Sequence, residues 1–447
     1  MSNRIKLKRG YDIQIVGEAK KELIVKPNAK LYSVYPSDLK GVTPKLCVEI
    51  GTEVKAGTPL FFLKNQPEVM VTSPVSGEIV EINRGAKRVI ENIRILADER
   101  ISYENFDLCS VNDSAEKIKS VLTQSGAWTL IKQRPFDRIA DTDKTPKAIF
   151  VSGFDSAPLA PDLNFALQGK EKFLQAAVYG LNKLTQGKFY LSLKEGENNS
   201  SFEKLEGVQI NYFKGPHPAG NVGVQIHHLN PINKGEVVWT INAQDLATIG
   251  KLFSEGVYAP ERVISLVGSE IKNPAYHTLR LGEQISEILA DNVQAGDVRI
   301  ISGSVLFGDK VDSNGYLGYY SQQVTAIPEG NEPEFLGWLI PSYPRPSISK
   351  TFLSFLAPKK KYKVNTSMHG EERAYVVTGE YEKVFPMNIF PVHLVKACLA
   401  QDLEAMEALG IYEVAEEDFA LCEFVCTSKL PVQEIIGEGL ALIEKEG

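Results

Sequence analysis

The sequence is poor in cysteine, with five (Cys47, Cys109, Cys398, Cys422, Cys426) in 447 residues. An odd, sparse set is not a disulfide framework, and a reducing compartment fits it. No stretch approaches the roughly 18 to 20 uninterrupted apolar residues that a membrane-spanning helix needs. The opening "MSNRIKLKRGYDIQIVGEAKK" likewise has no apolar signal-peptide core, so a soluble, cytoplasmic chain is expected. Positive charge is not in excess: 49 basic against 56 acidic residues give a net charge of −7, which argues against a nucleic-acid surface. The local run Lys359, Lys360, Lys361 and Lys363 reads as a solvated loop or a partner-docking site. There is no Gly-Lys-Ser/Thr phosphate loop, no Gly-x-Ser-x-Gly elbow and no His-Glu-x-x-His helix, so a self-contained hydrolase is not supported. His227 and His228, read on a strand, would point to opposite faces and could not chelate one metal together.

What is present belongs to a folded, multidomain protein. Apolar residues make up 43% and charged residues 23%, a globular balance, and the length exceeds one ordinary core. Residues 1–105 are expected to form a barrel-sandwich hybrid with an N-terminal strand. Short alternating runs such as "VMVTS" and "GEIVEI" are punctuated there by Gly51, Gly57, Pro74, Gly77 and Gly85 at turns. Residues 106–257 read as an α/β domain with a mostly parallel sheet. It starts with a helix capped by Asn112 or Ser114 and ending at Ser125–Gly126, followed by the buried strand "KAIFVS", the amphipathic "KEKFLQAAVYGL" and the strands "KFYLSLKE" and "VQINYFKG". From Arg262 a β-grasp module is expected within 258–335. Residues 336–447 complete the chain with the Pro-rich extended "EFLGWLIPSYPRPSISKTF" and a helical bundle, in which Leu394, Val395, Leu399, Leu403, Met406 and Leu409 recur at helical spacing.

The stretch "IGTEVKAGTPLFFLKNQPEVMVTSPVSGEIVEI" has the rhythm of lipoyl and biotinyl domains, whose lysine arm sits on a hairpin tip. Counting back from Ser73 and Pro74 puts Gln66 where the lysine would be, and Lys64 two residues off, on the strand. A structural role without a covalent arm is therefore expected. The "GPHPAGNVG" loop, between strands, reads as a family-specific turn, and His217, between two prolines, is its most conspicuous side chain.

Finer motifs carry a resemblance over essentially the whole chain. "IKLKRGYDIQIVGEAK", "AWTLIKQRPFDRIAD", "FKGPHPAGNVGVQIHHLNPI" and "LCEFVCTSK" resemble the A subunits of sodium-translocating NADH:quinone oxidoreductases. The domain order is similar to the peripheral C subunits of Rnf complexes and to the NADH-oxidising subunit of complex I. This resemblance implies a Rossmann-like α/β domain, an SLBB-like β-grasp module, and a peripheral subunit on the cytoplasmic face of the bacterial inner membrane. Its implied partners are the other subunits of a six-subunit complex, chiefly a hydrophobic membrane subunit, with ubiquinone a further candidate. The complex would take electrons from NADH through FMN, FAD, riboflavin and iron-sulfur centres to ubiquinone while exporting Na+.

Cofactor-binding relatives hold FMN over a Gly-rich loop, whose bare backbone lets the phosphate come close. The corresponding "SGAWTLIKQRPF" keeps only Gly126, and the indole of Trp128 is expected to occlude the pocket. Iron-sulfur relatives carry four suitably spaced thiolates, whereas Cys398, Cys422 and Cys426 read as buried structural residues. No redox cofactor and no metal bound by this chain are therefore expected. Trp128, Arg134, Phe136, Tyr212 and His217 are the candidates for proximity to quinone, and no catalytic residue is expected in this chain by itself. The alternatives are a free-standing ligand-binding or assembly module and a flavin-dependent NADH dehydrogenase acting alone, the latter disfavoured by the altered loop.

Overall fold

The computed structural model describes residues 2–27, 29–331, 346–350 and 352–447. Most of the expected Pro-rich segment at 334–352 lies outside the described residues. Two small sheets form the barrel-sandwich part. One has the strand order Leu31–Val34, Ile90–Ala97, Gly77–Arg84, Glu53–Val54, and the other Pro44–Leu46, Pro59–Leu63, Gln66–Thr72. The alternation read from the sequence is visible in Gly77–Arg84, where Ile79 is buried and its neighbours Glu78 and Val80 are exposed.

A seven-stranded sheet carries the α/β part. Its order is Arg4–Lys6, Gln209–Lys214, Lys188–Lys194, Ala148–Ser152, Val238–Ile241, Ile131–Arg134, Arg138–Ile139; the first five strands are parallel and the last two antiparallel. The expected cap is present: Ser114 accepts from the Lys117 N–H (3.3 Å), and Gly126 ends the Ala115–Ser125 helix at φ 87°. Gly126 has a second constraint, since a Cβ there would lie 2.5 Å from Thr72 Oγ1 of the barrel. The Glu171–Leu181 and Ala243–Glu255 helices pack so closely that a Cβ on Gly250 would meet the Phe173 carbonyl oxygen at 1.7 Å.

Beyond these lies a six-stranded sheet ordered Asp309–Val311, Val298–Ser302, Gln323–Pro328, Glu261–Val267, Ala275–Arg280, Leu23–Ile24. The chain then ends in helices, including Pro391–Leu399, Leu403–Ala408, Ala420–Val425 and Val432–Glu446. No helix among the described residues is long and apolar enough to cross a membrane.

Four expectations are corrected. The N-terminal strand does not belong to the barrel: Arg4–Lys6 pairs with Tyr212–Lys214, and Leu23–Ile24 with Tyr276–His277. Leu7, Ile13 and Ile15 go with them into a core shared with Phe213 and the C-terminal helices, because edge strands are chosen by partners hundreds of residues away. The apolar series Leu394 to Leu409 does not form one continuous face, because it is divided between the Pro391–Leu399 and Leu403–Ala408 helices. Gln401 turns the chain at φ 53°, Asp402 caps Ala405 N–H (3.0 Å), and Leu399 is exposed rather than in the stripe. His227 and His228 lie on the Val222–Leu229 helix, not on a strand. His227 Nδ1 meets Glu413 Oε2 at 2.7 Å and His228 Nε2 the Pro386 carbonyl at 3.0 Å, so both tie that helix to the C-terminal region.

The fourth correction concerns the hairpin. Its two-residue turn is Lys64–Asn65, and Gln66 opens the following strand paired with Leu63. Lys64 is therefore at the exposed tip. Gln66 instead faces the α/β part, its Oε1 accepting from the Thr142 N–H at 2.8 Å while Glu68 accepts from the Thr142 hydroxyl. The tip is thus fastened to a neighbouring domain.

Candidate functional site

A cavity of about 1040 Å³ opens where the four parts of the chain meet. Its floor is the carboxyl end of the parallel sheet. From Ala148–Ser152 the chain continues to one side through Lys188–Lys194 and Gln209–Lys214, and later returns to the other side as Val238–Ile241. The strand order reverses between Ala148–Ser152 and Val238–Ile241, leaving the crevice in which open α/β sheets bind ligands. Ser152, Phe154 and Asp155 line it from one strand end, and Thr240, Ile241 and Asn242 from the other. Tyr35 and Asp38 reach it from the barrel, Tyr316, Tyr319 and Tyr320 from the six-stranded part, and Glu416 and Glu417 from the C-terminal helices.

The walls are acidic as well as aromatic. Asp38, Asp155, Asp309, Asp312 and Glu417 face Lys132 and Lys310. Burial pushes Asp38 up to about 6, although it accepts from the Tyr319 N–H at 2.8 Å. Burial raises Asp155 too, against the Ala157 N–H donated at 2.8 Å. Lys132 sits over the Tyr320 ring, 4.4 Å from its centroid, and pairs with Asp137 at 3.0 Å, while Lys310 pairs with Glu329 at 3.6 Å, so both ammonium groups are already engaged.

Arg134 organises the site from behind. Its side chain is wholly buried; Nη1 donates to Asp418 Oδ2 at 2.7 Å and Nη2 to Glu417 Oε1 at 2.5 Å, with Nε 3.8 Å from Asp137. Burial alone would raise Asp137, yet Lys132 and Arg134 hold it down at about 2. Burial pushes Glu417 up to about 7 against the pull of Arg134, with Asp418 adding repulsion. Asp418 also accepts from the Ala415 N–H (2.9 Å) and lies against the first turn of the Val222–Leu229 helix. A Cβ on Gly223 would lie 2.4 Å from Asp418 Oδ2, so only glycine lets the carboxylate come that close. A helix N-terminus concentrates partial positive charge and unpaired N–H groups, the feature that binds phosphate in nucleotide folds. Here an internal carboxylate stands beside it.

The structure does not gather the five quinone candidates around this cavity. Trp128 is fully buried, its Nε1 donating to the Ala140 carbonyl at 2.8 Å and its ring edge-on to Trp239 at 5.3 Å. Its indole fills the core and does not border the cavity. Arg134 touches the site only through Glu417, Asp418 and Asp137. Phe136, at φ 81°, is half-buried and edge-on to Tyr412 at 6.4 Å. Tyr212 lies on the outer part of the sheet beneath the Arg4 guanidinium, 5.8 Å away. The aromatic lining comes instead from Phe154, Phe307 and the tyrosines Tyr35, Tyr316, Tyr319 and Tyr320, the last three in the "GYLGYYS" turn, which the sequence does not distinguish from any other Gly-rich loop.

His217 is buried in the hydrogen-bond network of its own loop and does not line the cavity. The "GPHPAGNVG" loop leads from a strand onto a helix rather than between strands. The His217 N–H donates to Asp12 at 2.8 Å, its carbonyl accepts from Tyr11, and its Nδ1 is 3.0 Å from Ser156 Oγ, which also accepts from the Gly220 N–H. Burial pushes the imidazole down to about 4 from its ordinary 6.5. The sign follows directly. The unfolded chain takes up the proton first, so this group favours folding fully above about pH 6.5 and penalises it increasingly toward pH 4, by about 3 kcal/mol at the limit. His217→Gln is expected to flatten the acid side of a stability-versus-pH curve measured by urea unfolding. An unchanged acid limb would rule this out.

Cys398, Cys422 and Cys426 are buried free thiols, and no group of three or more His, Cys, Asp or Glu able to hold a metal occurs among the described residues.

Three family profiles match along the chain: the NqrA N-terminal barrel-sandwich hybrid domain at 5–98, the NqrA second alpha/beta domain at 113–258 and the NQRA C-terminal domain at 263–313. The A subunit of the Na(+)-translocating NADH-quinone reductase from Yersinia pestis bv. Antiqua (strain Angola) is 37% identical over 447 residues, covering 99% of this chain and 100% of its own. The chain belongs to the NqrA family of Na(+)-translocating NADH-quinone reductase subunits. Family members from Haemophilus influenzae (strain Rd) and Vibrio atlanticus (strain LGP32) are 37% and 35% identical over the same span. As an NqrA chain it is one component of an oxidoreductase complex and has that complex's other subunits as partners. Two crystal structures of an NAD+-reducing [NiFe]-hydrogenase, air-oxidized and H2-reduced, are 11% identical with TM-scores of 0.35 and 0.34 over 49% of this chain and 47% of theirs, too distant to bear on function.

Proposed function

We propose that this chain is the peripheral, cytoplasmic-face subunit of a sodium-pumping NADH:ubiquinone reductase of the bacterial inner membrane. It serves the ubiquinone-reducing part of electron transfer and holds no redox cofactor of its own; the flavins, the iron-sulfur centre and the NADH site belong to other subunits. Its main docking partner is a hydrophobic membrane subunit. The Rossmann-like, β-grasp and helical-bundle parts, divided near residues 105, 257 and 335, act as the frame around the central cleft. The observation that carries the cofactor-free reading is Asp418, whose carboxylate lies at the Val222–Leu229 helix N-terminus and requires Gly223 for its approach. A flavin or dinucleotide phosphate would compete with that carboxylate and face the acidic walls of the cleft, where like charges repel.

A neutral, flat ring is the ligand chemistry that suits Tyr35, Tyr316 and Tyr320 beside Asp38 and Glu417. The purified chain is expected to lack flavin absorbance and to co-purify with hydrophobic subunits from detergent-solubilised membranes. In the assembled complex a photoreactive quinone is expected to label the Tyr316–Tyr320 turn. A bound flavin would overturn the cofactor-free reading, and labelling confined to other subunits would remove quinone from this cleft.

The cleft also favours a second reading, a free-standing ligand-binding module, because a cavity of about 1040 Å³ is large enough for a drug-sized molecule. Recovery from native cells only as a soluble monomer would favour it.

A further inference from the structure

Most of the acids that line the cleft are answered by a cation. Lys132 pairs with Asp137, Arg262 with Asp245, Lys40 with Glu416 and Arg134 with Glu417. Asp309 and Asp312 are exposed, so water solvates them. Asp155 accepts from the Ala157 and Ser156 N–H groups. Asp38 differs from all of these. It is half-buried, meets no cation among the described residues, and accepts one backbone bond, from the Tyr319 N–H at 2.8 Å.

Behind Asp38 lies a second cavity of about 10 Å³, room for a single water. Asp38, Tyr35 and Tyr319 line both spaces, so the carboxyl is part of the wall between them. Two hydroxyl residues on the small cavity, Ser33 and Tyr258, are each 1% exposed, and neither Ser33 Oγ nor Tyr258 OH has a hydrogen-bond partner among the described residues. The neighbouring hydroxyls cannot serve them: Tyr319 OH is committed to Thr129 Oγ1 at 2.6 Å, and Thr72 Oγ1 to the Ser125 carbonyl at 2.8 Å. Two orphaned hydroxyls and a carboxyl around a space of this size are the setting that fixes a buried water. Burial pushes Asp38 up to about 6, with repulsion from Asp309 of the six-stranded sheet adding to it. Lys310, beside Asp309, is turned to Glu329 at 3.6 Å. The other groups facing Asp38 are the Tyr35, Tyr258 and Tyr319 phenols, and burial keeps the last two protonated. A carboxyl that holds its proton to near neutral pH and opens on a cleft is placed to hand that proton over.

We propose that Asp38 is the proton donor of the cleft, solvated from behind by one water that Ser33 and Tyr258 hold. This rests on the reading of the cleft as a quinone site and deepens it. Reducing a quinone to a quinol takes two electrons, which the NADH-oxidising centres of the complex supply, and two protons. At each protonation the Asp38 O–H bond breaks and an O–H bond forms on a ring oxygen. The carboxylate then takes its next proton from solvent entering the cleft.

The test is NADH-driven reduction of a short-chain ubiquinone by the assembled complex across a pH series. The parent complex is expected to lose rate as pH rises through the Asp38 midpoint, about 6. Asp38→Asn, whose amide oxygen still accepts from the Tyr319 N–H, is expected to be slower by roughly 100-fold and to lose that pH dependence. Two variants read the same midpoint without touching the carboxyl. Asp309→Asn removes a like charge and is expected to move it down, whereas Tyr258→Phe takes a partner from the water that solvates the carboxylate and is expected to move it up. A normally folded Asp38→Asn complex with the parent rate and pH profile would overturn the inference. So would a midpoint unmoved by both other variants, which also decides the matter if Asp38→Asn does not assemble. In either case labelling of the Tyr316–Tyr320 turn by a photoreactive quinone leaves the quinone reading standing, while labelling confined to other subunits removes that reading and the role of Asp38 with it.

Discussion

Replacing Arg134 by methionine is expected to destabilise the protein by about 3–5 kcal/mol, the usual consequence of leaving a buried partner charge uncompensated. Asp418 has no exposure of its own and would lose its Nη1 donor, while Glu417 would lose Nη2. Arg134→Lys is expected to recover only part of the loss, because a single ammonium cannot fork to two carboxylates. Adding Asp418→Asn to Arg134→Met is expected to restore some stability, since the stranded charge then disappears. Urea unfolding of the four proteins checks this. Equal stability of Arg134→Met and the parent chain would show that the guanidinium is not what holds the C-terminal helices to the sheet.

The second large effect is expected at Trp128. Trp128→Ala removes a fully buried indole, its edge-on contact with Trp239 and its bond to the Ala140 carbonyl. A loss of about 3–5 kcal/mol is expected. FMN added to the variant is expected to remain unbound, because the vacated volume lies in the core and Trp128 does not line the cleft. Flavin binding by Trp128→Ala, read as a shifted absorption spectrum, would instead show the indole to be the group that blocks a cofactor.

These two residues also show how far the sequence can be read. Arg134 and Trp128 both stand in the "AWTLIKQRPF" motif, and a linear reading assigns them to one loop and one ligand. Their environments separate them. Trp128 turns into the core on a 3-10 turn, whereas Arg134 finds its acids 283 and 284 residues further on. The acids stand in "AEEDFA", which reads as an ordinary acidic first turn, so no local signal marks Glu417 or Asp418 as part of a site. The hairpin gives the same lesson on a smaller scale. Counting from Pro74 puts Lys64 on a strand, but irregular pairing around Phe62 and Leu63 moves the turn onto Lys64 and Asn65. A bulge of this kind depends on cross-strand contacts rather than on spacing along one strand.

The sequence by itself determined whatever depends on neighbours within a few residues: the Ser114 cap and Gly126 stop, the alternating strands of the barrel, the buried strand Ala148–Ser152, and the motifs that mark the family. Only the tertiary structure decided which sheet receives the N-terminal strand, that the cleft opens where the strand order reverses, and that Asp418 stands against a helix N-terminus. The physical reason is range. Caps, turns and periodicity are short-range preferences written at each position, whereas a buried charge takes whatever partner the packed chain brings within about 3 Å, and sequence separation carries no information about that distance.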